Sequence, residues 1–159
     1  MPYHKINKSS LPSVIAKAKQ YRSLLEPDLA ISICLDVFAV DQSNQEALVI
    51  YILSLTDLYS HDVKVDQEKI LSAINRLDSD FERNYYIGLM HERKARSYLN
   101  KHMSRSFAFE GLQNAMEYYE LAEKLQPEDI CDANLRYNSC LRTIEKEKLT
   151  PRQEFNELY

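Results

Sequence analysis

Ala115-Met116-Glu117-Tyr118-Tyr119-Glu120-Leu121-Ala122-Glu123-Lys124-Leu125-Gln126-Pro127 reads as the last turns of an α-helix followed by its stop signal. Ala115, Tyr119 and Ala122 are four and three residues apart, so they share one helix face. Pro127 ends the helix, because a proline pushes the residue before it out of the α conformation. The two alanines let an antiparallel neighbour approach closely, and the tyrosine fills the gap to the next pair. The same frame recurs upstream. Ala30, Cys34, Val37 and Val40 fall on Ala115, Tyr119, Ala122 and Leu125, and Gln42 falls on Pro127.

Working outward, apolar spacing is three and four throughout, not two, which predicts helices and no strands. A first helix opens at Pro12 and carries Val14, Ile15, Ala18, Tyr21, Leu24 and Leu25. Glu26-Pro27 breaks it and Pro27 opens a second, where its missing N–H costs nothing. Leu29, Ala30, Ile33, Cys34, Val37, Phe38 and Val40 give that second helix a wide face for burial. Ser43 with Glu46 forms a capping-box pattern ahead of a third helix, about Asn44–Tyr59, apolar on most sides. Asp66 can cap a short fourth helix carrying Ile70, Leu71, Ile74 and Leu77. Ser79 with Glu82 opens a long fifth, to about Leu99. A sixth spans about Ser106–Leu125. A seventh, about Glu128–Lys148, puts Ile130, Ala133, Tyr137, Leu141 and Ile144 on one stripe. Thr150-Pro151-Arg152-Gln153 can cap a short helix in the tail. The expectation is therefore all-α, with about seven antiparallel helices and a short C-terminal one. A basic extension covers 1–10, one domain 11–148 and a tail 149–159.

The repeated frame resembles the tetratricopeptide repeat, a 34-residue helix–turn–helix unit. Ala115, Tyr119, Ala122 and Pro127 fit its second-helix pattern, Ala18 and Tyr21 its first-helix pattern, and Gly88 its small first-helix position. Gln42 replaces the usual proline, Cys34 the aromatic and Gln67 the alanine of the second unit. The unit ends Val40, Leu77 and Leu125 lie 37 and 48 residues apart, the excess belonging to the His61–Val65 loop and to helix five with its basic loop. The resemblance implies about three degenerate repeats over Leu11–Pro127, wound as a right-handed superhelix and closed by a terminal helix. A generic helical bundle is the competing architecture.

Composition excludes several function classes. Glycine occurs twice in 159 residues, where roughly 7%, or about 11, is usual. Neither GxGxxG nor GxxxxGK[ST] is present, which removes the glycine-loop nucleotide folds. Gly88 and Gly111 both fall inside helices, where each costs about 1 kcal/mol relative to alanine. Gly111 matches no repeat position. Apolar residues make up 45% and charged residues 28%, enough to bury a core. Residues 1–10 lack the apolar core of a secretory signal, and the longest apolar run, Ala47–Leu55, is short of a membrane span. Cys34, Cys131 and Cys140 are odd in number and without CxxC spacing, so they read as buried cytosolic thiols. These features predict a cytoplasmic protein.

Net charge is −4, which disfavours nucleic acid, but the charge is banded. Five basic residues and no acid occupy 1–25, seven acids and no Lys or Arg occupy 26–62, and 83–105 is basic again. The bands are solvated helix faces or a steering field for a charged partner.

No catalytic or metal-binding constellation emerges. His91-Glu92-Arg93-Lys94-Ala95 begins like HExxH, but Ala95 stands at the second ligand position. Cys131 and Cys140 fall on opposite sides of a helix. The chain is expected to be no enzyme and to take no cofactor or metal.

The resemblance implies instead a concave surface lined by the first helix of each unit, which holds a peptide or helix of a partner protein. That surface would carry Ile15, Lys19 and Arg22 from the first unit, then Val49, Ile50 and Leu53. From the third it would take Tyr85, Tyr86, Leu89, Glu92 and Arg93, and the seventh helix would add Asp132 and Arg136. The alternative is that the terminal helices fold over this floor and bury it. Some tetratricopeptide co-chaperones grip a terminal carboxylate there, but the matching positions hold Ile15, Lys19, Ile50, Glu82 and Tyr86. Only Lys19 could serve. Glu92 and Arg136 can pair across the interface, since a buried charge without a partner costs several kcal/mol. An exposed, peptide-contacting Arg136 is the other reading. The expected function is a protein-binding adaptor, monomer or dimer, with no membrane partner. A dedicated chaperone for an exported protein and a structural subunit of an oligomer are the alternatives.

Overall fold

Prolines and capping side chains set most of the helix starts. The computed structural model describes residues 1–101 and 104–152. Among them are seven α-helices and no strand: α1 (Leu11–Ser23), α2 (Pro27–Phe38), α3 (Gln45–Asp57), α4 (Gln67–Asn75), α5 (Asp80–Ser97), α6 (Arg105–Leu125) and α7 (Asp132–Glu147). Pro12 and Pro27 stand in the first turns of α1 and α2. The Asp66 and Ser79 side chains accept from the backbone N–H of Lys69 and Glu82, capping α4 and α5.

Several boundaries differ from expectation. Asn44, not Ser43, caps α3: its side-chain oxygen accepts from Ala47 N–H at 2.9 Å, while its amide donates to Asp41 at 3.0 Å. The pair of bonds fixes Asn44 at the helix entrance and moves the start one residue on. α3 ends at Asp57 and tightens into a 3-10 turn, Leu58–Ser60. α7 begins at Asp132 rather than Glu128, because Ile130 N–H bonds Pro127 C=O in a turn that keeps Ile130 off the helix. α1 stops at Ser23, leaving Leu24 and Leu25 exposed beyond it. The predicted C-terminal helix falls mainly on 153–159, outside the described residues.

With almost no glycine, two helices end on left-handed residues of other types. Leu25 (φ 62°) and Lys148 (φ 52°) hold that position after α1 and α7. In each case two backbone bonds close the end: Leu25 to Arg22 and Glu26 to Tyr21, Lys148 to Glu145 and Leu149 to Ile144. The strain is offset at α7 by packing, since Leu149 and Ile144 join the same apolar cluster.

Successive helices pack on one another, and short connections make them antiparallel. α1 also touches α3, and α3 touches α5, so these odd-numbered helices stand side by side in one layer. Two cores result. The first joins Ile15, Ala18, Cys34, Val37, Leu48, Ile52, Ile70 and Ile74 from α1–α4, with Met90 of α5. The second joins Ala95, Ala108, Leu112, Ala115, Tyr119 and Cys140 from α5–α7. Leu29 and Leu141, expected to be buried, lie at 47% and 38% exposure on the outer sides of α2 and α7. Cys131, one of the three thiols expected inside, is exposed in the turn before α7.

Both glycines sit where α5 and α6 nearly touch. A Cβ at Gly88 would stand 2.8 Å from the Tyr119 ring and 3.2 Å from Ala115 C=O. One at Gly111 would stand 2.8 Å from Ala95 Cβ and 3.4 Å from its Cα. The position of Gly111, unmatched in the repeat frame, thus has a packing cause: α6 meets α5 backbone there.

Candidate functional site

The layer of odd-numbered helices carries a groove of about 480 Å³. Lys19 and Arg22 come from α1, Val49, Ile50 and Leu53 from α3, and Tyr86 from α5. These six were expected to share a surface, and the structure brings them together. A four-residue spacing places Val49 and Leu53 one turn apart on the side of α3 that faces both neighbours. Glu46 and Glu82 stand on the rim; Glu82 occupies one of the positions matched to the carboxylate-gripping set, whereas Glu46 was not expected there from the sequence. The signal for Glu46 was its place one helical turn before Ile50. Lys19 pairs with Glu46 across the groove mouth. Burial, then the nearby Glu82 charge, pushes the Tyr86 hydroxyl well above the ordinary tyrosine range, so it stays neutral.

Four expected contact residues are buried instead. Ile15 at 5% exposure packs into the first core, and Ile50 at 4% forms groove floor with little free surface. Leu89 is fully buried, because it faces inward on α5 between Gly88 and Met90, which are also buried. Glu92, 1% exposed, belongs to the interior between α5, α6 and α7. Asp132 is exposed at the start of α7 and lines no groove wall.

Glu92 is the centre of a polar cluster within the second core. Tyr119 donates its hydroxyl proton to Glu92 Oε2 at 2.6 Å. Arg96 Nε donates to Oε1 at 2.8 Å, and an Arg136 guanidinium nitrogen lies 3.6 Å from the same oxygen. Arg96 also donates to Ser139 and Thr143, tying α5 to α7. The expected Glu92–Arg136 pair therefore exists, with Arg96 as the nearer partner. Arg136 is half-buried and also reaches the Tyr85 hydroxyl at 3.4 Å. Tyr85 accordingly turns to the second core and not to the groove, its ring 5.7 Å from that of Tyr119. Burial and then the Glu92 charge raise Tyr119 far above its ordinary range, and push the Cys140 thiol up to about 12. Both groups therefore stay protonated near neutrality and supply no phenolate or thiolate there.

Arg93 leaves the groove as well. It donates to Asp57, to Thr56 Oγ1 at 2.9 Å and to Leu53 C=O at 3.1 Å. Asp57 also accepts from Arg22 Nε at 2.7 Å, so one carboxylate links α1, α3 and α5. Beyond this triad lies a larger cleft of about 600 Å³, walled by the 56–65 segment and the end of α5. Its traces in the sequence were the basic band at 83–105 and the extra length of the His61–Val65 loop.

Among the described residues, no cluster of three or more His, Cys, Asp or Glu side chains is placed to hold a metal. No described helix is long and apolar enough to cross a membrane. No protein-family model matches the chain, and no curated protein or solved structure matches it significantly.

Proposed function

We propose that this chain is a non-enzymatic interaction module of the tetratricopeptide type, which holds a segment of a partner protein in the groove across α1, α3 and α5. The observation that carries the reading is the groove's make-up. Helices α3 and α5 supply an apolar floor of Val49, Leu53 and Tyr86, and charged side chains form only the rim. A cavity of this kind buries apolar side chains of a ligand and fixes its register by polar contacts. The floor residues Val49 and Leu53 retain accessible surface while their neighbours Leu48 and Ile52 on α3 are fully buried. One face of that helix is thus left for an occupant.

The reading predicts that Val49→Gln with Leu53→Gln abolishes partner capture while leaving the helical circular dichroism intact. Pull-downs with the wild-type and double-variant chains, compared by mass spectrometry, check this. An identical partner list would overturn the groove as the binding surface. Light scattering after size-exclusion separates the structural-subunit alternative, which requires a stable oligomer that the same double variant dissociates.

A further inference from the structure

The groove does not end at the Arg22–Asp57–Arg93 triad. Arg22 lines the groove, whereas Asp57 and Arg93 line the cleft, and Arg93 donates to the carbonyl of the groove residue Leu53. The two cavities therefore abut along α3 and α5. They differ in charge. The groove rim balances Lys19 and Arg22 against Glu46 and Glu82. The cleft has four cations, Arg93, Lys94, Arg96 and Lys101, against Asp57 and Asp62, in a chain whose net charge is −4.

The cations are not equally engaged. Arg93 is held by Asp57, and Arg96 by Glu92 and the α7 hydroxyls. Lys94 and Lys101 form no ion pair among the described residues; half-buried Lys94 has only the Gln67 amide oxygen, at 3.0 Å. A partly desolvated ammonium whose sole partner is a neutral amide favours an added anion. Asp57 cannot supply it, because two arginines already share that carboxylate.

We infer that a bound segment continues from the groove into this cleft, so that the partner is an extended acidic peptide with an apolar anchor. The inference rests on the groove reading above and adds the ligand's chemistry and spacing. Val49 and Thr56 stand seven residues apart on α3, as do Tyr86 and Arg93 on α5. At a rise of ~1.5 Å per residue the two cavities are offset by about 10 Å. An extended peptide covers that in about three residues. Its Asp or Glu side chains, reaching Lys94 and Lys101, fall about three to five positions from the anchor. The mixed signs in the cleft suit a peptide better than a phosphodiester chain, which would meet Asp57 and Asp62.

Selection of a random dodecapeptide phage library on the immobilised full chain tests this. Wild type should enrich an apolar pair with Asp or Glu about three to five positions away. Lys94→Gln with Lys101→Gln should keep the apolar preference and lose the acidic one. A peptide selected on wild type, synthesised and followed by fluorescence anisotropy, should bind the lysine variant about tenfold more weakly at low salt, the gap closing near ~1 M NaCl. Apolar selection without acidic enrichment would overturn the cleft inference and leave the groove standing. Peptides enriched equally on Val49→Gln/Leu53→Gln would overturn the groove reading, and acidic enrichment with no fixed spacing would overturn the continuous path.

Discussion

The α1–α4 and α5–α7 halves solve the same packing problem with different chemistry. In α1–α4 the interior is aliphatic: Leu48, Ile52, Ile70 and Ile74 are fully buried, and the polar groups among them, Ser54 and Thr56, bond their own helix backbone. In α5–α7 small residues bring the helices close, and a carboxylate with two arginines and a tyrosine fills the space left. An aliphatic core fixes volume and little else, since shape-conserving swaps are tolerated. A charged core fixes partners, because each polar group must keep its bond. The difference locates plasticity in the half that carries the groove floor and rigidity in the half that supports it.

The contrast breaks most visibly at its centre. Glu92→Gln leaves Arg96 and Arg136 without their charge partner and should cost about 3 kcal/mol. Ile52→Val removes one buried methyl and should cost about 1 kcal/mol. Urea denaturation of both variants measures the pair, and equal losses would erase the distinction. The next effect concerns the seam. Gly88→Ala drives a methyl into the Tyr119 ring, which cannot retreat while its hydroxyl is bonded to Glu92, so about 2 kcal/mol should be lost. A thermal midpoint unchanged from wild type would mean that the seam has slack.

Smallest is a chemical signature without an energetic one. Cys34 and Cys140 are buried, and their thiols are pushed up to about 12, chiefly by burial. Cys131 is exposed. At pH 8 one thiol of the native chain should form a mixed disulfide with a disulfide reagent, freeing one equivalent of the reagent's thiolate, and three equivalents should be freed after unfolding. Cys140 reacting as fast as Cys131 would show that the charged half opens more readily than its bonds imply.

Much of this was legible in the sequence. Pro12, Pro27 and Pro127 mark breaks through sterics that act within two residues, and Ala115, Tyr119 and Ala122 reveal a packed face through period alone. The caps Asp66 and Ser79 are local too. Asn44 was not separable from Ser43, because both side chains cap helices and the choice was made by Asp41. Among site residues, Lys19, Val49, Leu53 and Tyr86 followed from helical register. Leu89 and Glu92 failed for the same reason. Register tells which side of α5 a residue takes, but α5 is flanked on two sides, and only the tertiary arrangement shows which flank is covered. The cleft was least legible, since its walls come from segments far apart in the chain and its loop has no periodic pattern.

Tyr85 and Tyr86 are adjacent in sequence yet serve different cores, their rings edge to face at 5.1 Å. Tyr86 and Ile87 pack with α1–α4, whereas Tyr85 and Ala95 pack with α5–α7. Helix α5 is thus a wall papered on both sides, with each residue's allegiance set by its phase. Adding or deleting one residue there would rotate every later side chain by about 100° and put it out of phase with both interiors. The His61–Val65 loop bears no such constraint. Changes of length in this chain belong in the loop, and α5 is the segment whose residue count must stay fixed.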